Sequence, residues 1–147
     1  MERDFLIKQI SVFLENRPGS LAEVTRYLAD RSLNLRALSI TESRDFGTIR
    51  IITSDQEACA AALREGGYAY SEVDVLAAVI PDRPGGMAEV AEIIAGENIN
   101  IDYGYAMVEK RDGSVVVVVR VDDPYRASVV LRGKGVRLLR EEEVRDL

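Results

Sequence analysis

The chain has 147 residues, 47% hydrophobic and 30% charged, with a net charge of −6 from 25 acidic and 19 basic side chains. That balance speaks against wrapping nucleic acid or an anionic membrane surface, both of which need a basic patch. With no histidine, no tryptophan and one cysteine, Cys59, the chain cannot assemble a histidine-based triad, a Cys–His nucleophile, a Cys/His zinc site or an internal disulfide.

Phe5 to Leu14 is dense in strand formers, with Ile10, Val12 and Leu14 on one face by period two. Asn16 to Gly19 breaks the strand, and Pro18 suits the opening of a helix that runs to about Asp30. Ser20 and Glu23 have capping-box spacing, and Leu21, Val24 and Leu28 form the apolar stripe. Asn34 to Thr41 and Thr48 to Thr53 read as strands joined by a hairpin turn at Arg44 to Gly47. Ser54 or Asp55 can cap a helix from Gln56 to Glu65, ended by Gly66 and Gly67, and Tyr68 to Ser71 reads as a short fourth strand.

The pattern then starts again. Val73 to Ile80 is a strand and Gly86 to Ala95 a helix. Asn100 to Glu109 and Ser114 to Val121 form a hairpin around Arg111 to Gly113. Pro124 to Arg132 is a helix with Asp123 at its cap, and Val136 to Arg140 closes the set; Glu141 to Leu147 has no clear assignment beyond a charged tail. Asn16-Arg17-Pro18-Gly19-Ser20-Leu21-Ala22-Glu23-Val24 returns 66 positions later as Asp82-Arg83-Pro84-Gly85-Gly86-Met87-Ala88-Glu89-Val90, and Asn34 returns as Asn100. The expected fold is therefore α+β: two tandem ferredoxin-like βαββαβ modules, residues 1–71 and 72–147, each an antiparallel sheet with its helices on one face. Val75, Ala77, Val79 and the run Val115 to Val119 are apolar on both strand faces, so a face covered by another module or a second chain is expected.

In Val12 to Leu21 and in Ile80 to Met87 the chain resembles the ACT domain, a small-molecule-binding module of amino-acid metabolism, and Asn34 and Asn100 fit it as well. The resemblance covers nearly the whole chain and implies a stand-alone tandem ACT protein. It implies an amino-acid-binding regulatory or sensor protein, not an enzyme, that needs no cofactor and no metal and holds its ligand between modules. By that resemblance one pocket joins Asn16, Arg17, Pro18, Gly19, Ser20 and Leu21 to Asn100, Ile101, Asp102, Tyr103 and Tyr105. Asp102 would take the ligand ammonium there, with Tyr103 or Tyr105 at the side-chain end. A second joins Asp82, Arg83, Pro84, Gly85, Gly86 and Met87 to Asn34, Leu35 and Arg36, with Arg36 in place of Asp102. The chemistry agrees independently, because a helix N-terminus with glycine beside it suits an α-carboxylate. Expected partners are a free amino acid, a second copy of the chain and an amino-acid biosynthetic enzyme. The alternative is a regulatory subunit or dimerisation module of such an enzyme without a ligand of its own. An RNA-recognition reading of the same βαββαβ order fails for want of aromatics on Thr48 to Ile52 and Val115 to Val119. The lone cysteine, the lack of a signal-like start and the absence of a membrane-length apolar run lead us to expect a cytoplasmic location.

Overall fold

A computed structural model describes residues 4–43, 45–108 and 113–147; the expected turn residues Arg44, Arg111 and Asp112 and the strand end Glu109 lie outside that set. The chain divides into two compact units, Lys8–Val73 and Asp74–Leu147, the latter taking in the N-terminal segment up to Ile7. No helix among the described residues is long and apolar enough to cross a membrane.

In the first unit, β1 (Ile7–Glu15), α1 (Ser20–Ala29), β2 (Leu35–Glu42), β3 (Phe46–Thr53) and α2 (Gln56–Glu65) follow in order. β3 lies between β1 and β2, antiparallel to both, with Val12 opposite Ile49 and Leu38 opposite Ile51. Period-two residues of the strands meet the i, i+4 stripe of α1 in a core of Ile10, Val12, Val24, Leu28, Ile49, Ile51, Cys59 and Leu63. Each fully buried aliphatic side chain there contributes about 1.5–3 kcal/mol. Asp55 caps α2 through its carboxylate, which accepts from the Ala58 amide at 3.1 Å. The first α2 residue, Gln56, is buried, and its amide accepts from the Thr53 amide (2.8 Å) and donates to the Lys8 carbonyl (2.7 Å), so one satisfied polar group pins the helix to two strands.

β4 (Ala69–Pro81) begins in the first unit and continues into the second, where α3 (Gly86–Gly96), β5 (Ile101–Ala106), β6 (Ser114–Val121), α4 (Pro124–Gly133), β7 (Arg137–Leu138) and α5 (Glu141–Arg145) complete the chain. The pairings give the order β5-β6-β4-β7, all antiparallel, which is the split-βαβ arrangement. Leu76, Ala78, Ile80, Val90, Ile94, Val119, Val121, Ala127 and Leu131 form its core, joined by Phe5, over whose ring Arg132 lies at 4.0 Å. On β4 and β6 alternate residues of both faces are buried: Val75, Leu76, Ala77 and Ala78, and Val116, Val118 and Val119, are wholly inaccessible.

Three local expectations change. Tyr68 to Ser71 is not a separate strand, because nothing between Ala69 and Pro81 forbids extended backbone and 13 residues run on as one. The closing strand shortens to Arg137–Leu138. The tail is helical from Glu141 to Arg145, with the Glu143 carboxylate accepting from the Arg140 amide at 3.1 Å, Val144 buried, and Glu143 paired to Arg137 at 2.8 Å.

Candidate functional site

The repeated stretch folds identically in both units. Arg17-Pro18-Gly19-Ser20 and Arg83-Pro84-Gly85-Gly86 are tight turns in which the fourth amide donates to the first carbonyl, at 3.3 and 3.1 Å. Proline fixes φ at the second position, and the third is left-handed, with φ +92° at Gly19 and +87° at Gly85. That is the signature of a type II turn, and it accounts for the Pro-Gly pair without any reference to a ligand. The turn delivers the chain into α1 or α3, whose first intrahelical bonds run from Glu23 to Gly19 (2.9 Å) and from Glu89 to Gly85 (3.0 Å). The amides of Leu21, Ala22, Met87 and Ala88 therefore precede the first helical bond, whereas those of Ser20 and Gly86 are already committed to the turn.

The capping box expected from Ser20 and Glu23 does not form. The residue before α1 is Gly19, which has no side chain to cap with, and Glu23 instead receives the Arg17 guanidinium at 3.4 Å. Arg83 and Glu89 repeat the pair at 3.0 Å. The arginine and glutamate shared by the two copies thus brace the loop against its own helix. Gly86 carries a further constraint. A Cβ there would overlap the Pro81 carbonyl oxygen, so the second loop closes down on its strand more tightly than the first, where Ser20 stands.

β2 and β5 each carry an irregularity next to their first residue, at Arg36 and at Asp102. Asn34 and Asn100 bridge backbone just ahead of it: Asn34 exchanges bonds with Ser54 and Asn100 with Asp122. Asp102 accepts from the Asn100 side chain at 2.9 Å. Tyr103 and Tyr105 lie opposite Arg120 and Val118, and Gly104 opposite Val119. The tyrosines therefore share one face of β5, and Gly104 and Ala106 share the other, which looks toward the helices.

Under each loop lies a cavity. In the first unit the cavity on the β2 side is about 130 Å³, bordered by Asn16, Arg17, Ser20 and Leu21 of the loop and by Ile40, Thr41, Glu42 and Ile49, and a separate one of about 380 Å³ borders Phe13, Arg17, Ser20, Glu23 and Gly66 to Ala69. In the second it is about 460 Å³, bordered by Asp82, Arg83 and Met87, by Ile101, Gly104, Tyr105 and Ala106 of β5, and by Ile80, Val115, Val117 and Val119. Of the residues singled out by sequence, Asp82, Arg83, Met87, Ile101 and Tyr105 thus meet around one space. Asn100, Asp102 and Tyr103 do not border it, and Asn34, Leu35 and Arg36 do not border the smaller one.

Strand register explains the difference in volume. Leu38 opposite Ile51 corresponds to Gly104 opposite Val119, and Val12 opposite Ile49 to Ala78 opposite Val117. On the helix-facing side, then, Leu38, Ile40, Ile49, Ile51 and Val12 give way to Gly104, Ala106, Val117, Val119 and Ala78. Every one of these exchanges removes carbon atoms. Sequence reasoning missed Gly104 and Ala106, although setting β2 beside β5 at the 66-residue spacing displays them directly.

The sequence profile of the ACT domain pair matches residues 5–147. The crystal structure of protein BT0572 from Bacteroides thetaiotaomicron superposes with a TM-score of 0.91 at 36% identity, covering 97% of this chain and 98% of that one. The ligand-free regulatory subunit of aspartate kinase from Thermus thermophilus superposes with a TM-score of 0.61 at 16% identity, covering 88% and 91%, a likeness of fold. No curated protein matches the chain.

Proposed function

The chain belongs to the ACT domain pair family, whose fold is regulatory, and from that premise we propose that it is an amino-acid-binding regulatory protein without catalysis of its own. The observation that carries this reading is the seat at the second loop. A type II turn leads into α3, whose first-turn residue Met87 borders a cavity of about 460 Å³, within the usual range of ~300–1,000 Å³ for small-molecule sites.

In this reading the α-carboxylate accepts from the Met87 and Ala88 amides, where the helix dipole favours negative charge. Two charge-assisted bonds at ~1.5–3 kcal/mol each supply about 3–6 kcal/mol. Micromolar to millimolar affinity needs roughly 4–8 kcal/mol, so modest further contacts suffice. The family resemblance adds that a second ACT-like module completes the pocket. Asn16 to Leu21 paired with Asn100 to Tyr105, and Asp82 to Met87 paired with Asn34 to Arg36, remain the residues proposed for that arrangement. Ligand that favours the completed pocket shifts the assembly of the chain, as a cytoplasmic homodimer or with a biosynthetic enzyme, through differential affinity alone.

A thermal-shift series with each of the twenty amino acids tests the reading. One of them at ~100-fold excess over its Kd stabilises the folded chain by about 2.7 kcal/mol and raises its melting temperature by several degrees. A flat series up to 10-millimolar order leaves a dimerisation or partner-binding module as the function.

A further inference from the structure

Resting on the amino-acid reading above, we propose that the chain takes one ligand per copy, in the second unit, and that this ligand carries a large aliphatic or aromatic side chain. Below the loop the cavity is walled by Ile80, Met87, Gly104, Ala106, Val117 and Val119, none of which offers a polar side-chain atom beyond the Met87 thioether. The ionisable side chains that border it are Asp82 and Arg83 in the loop, the Tyr105 side chain belonging to the opposite face of β5, and the Arg83 guanidinium is already held by Glu89 at 3.0 Å. A charged or hydroxylated ligand side chain placed in this slot would lose its hydration against hydrocarbon, whereas an apolar one gains from burial.

The first unit supplies the control within the same molecule. There the same turn stands over strands that carry Leu38 and Ile40 where the second has Gly104 and Ala106, and about 130 Å³ remains in the equivalent slot. The separate cavity at Arg17, Ser20 and Glu23 is walled by Phe13 and Gly66 to Ala69 and not by β2. The fold is thus compatible with a filled slot, and the second unit leaves it open.

The test is calorimetric titration of the full chain with leucine and phenylalanine, and with serine, aspartate and lysine. Leucine or phenylalanine is expected to bind at one site per chain, at least tenfold more tightly than the polar three. Ala106→Ile restores the side chain that the first unit has, and is expected to weaken that binding at least tenfold without lowering the melting temperature of the ligand-free protein. Ala106→Val should fall between, and Ile40→Ala should change affinity less than twofold. Ala106 is varied in preference to Gly104, because a Cβ on Gly104 would sit 3.1 Å from the Val118 carbonyl oxygen. If serine, aspartate or lysine binds tightest, if two sites fill per chain, or if both Ala106 variants bind like the parent, the apolar slot is wrong while the amino-acid reading stands. If none of the twenty amino acids binds, both fall.

Discussion

The two loop regions share one backbone and differ in what lies beneath it. Turn type, left-handed glycine, first helical bond and Arg–Glu brace agree between Asn16–Val24 and Asp82–Val90. The strands below differ by several side-chain carbons at five helix-facing positions, and the cavities by about 130 against 460 Å³. The repeated motif therefore encodes a way of entering a helix, and the volume of the slot beside it is set elsewhere, by side-chain size on the first three strands of each unit. A motif match alone would have ranked the two loops equally.

The largest expected break in the comparison is at Gly86. Gly86→Ala forces its new Cβ against the Pro81 carbonyl oxygen and should cost about 1–3 kcal/mol, as overpacking against backbone does. Ser20→Ala, at the matching position, keeps its Cβ and should cost under about 1 kcal/mol. Urea midpoints of the two variants measure the difference, and equal losses would mean that the second loop is not the tighter one.

Opening the first unit should come next. Leu38→Ala removes part of the filling that distinguishes β2 from β5; the residue is half-buried, so a loss of about 1–3 kcal/mol is expected, at or below the usual range for core leucines. Gly19→Ala places a Cβ in open space and Gly85→Ala one in ordinary contact with the Arg83 guanidinium at 3.9 Å, both at φ near +90°, so each should cost about 1–2 kcal/mol, and the two should match within error. Unequal costs would show that the turns are not energetically equivalent.

A pH experiment separates the cores. Cys59 lies wholly buried in the first unit, while Ala127 holds a similar place on the second helix of the other. Burial pushes the Cys59 thiol from 9.0 up to about 11. The unfolded chain loses this proton above pH 9 while the folded one keeps it to about pH 11, so stability falls as pH rises through that window. Cys59→Ala should flatten the fall, and thiol reagents should reach Cys59 only on unfolding. The smallest effect belongs to the braces. Arg17 and Arg83 are half-exposed, and Arg17→Ala or Arg83→Ala should cost about 0.2–1 kcal/mol, less in molar salt.

Much of the fold was legible because its signals are local. Asp55 and Asp123 cap their helices as their positions suggest, each accepting from the amide three residues on. The repeat itself announces two βαββαβ units. Where reading failed, two local signals competed: Ser20 and Glu23 have capping spacing, yet the left-handed glycine ahead of them takes the cap position and Arg17 takes the glutamate. The tail helix was hidden because its N-cap is Arg140, which has no side-chain acceptor, and only the Glu143 carboxylate on the Arg140 amide marks its start.

By itself the sequence determined the element order apart from the fused strand β4 and the tail helix, the duplication, the turn that opens each first helix, and the exclusion of histidine and zinc chemistry, because each depends on residues close together in the chain or on residues absent from it. Only the tertiary structure decided which loop has the larger space on the side of β2 or β5. That space is bounded by side chains from β4, the loop, α3, β5 and β6, and its size depends on the strand register that sets Gly104 opposite Val119 and Ala78 opposite Val117. Volume is a property of the assembled side chains, and no single stretch of the chain carries it.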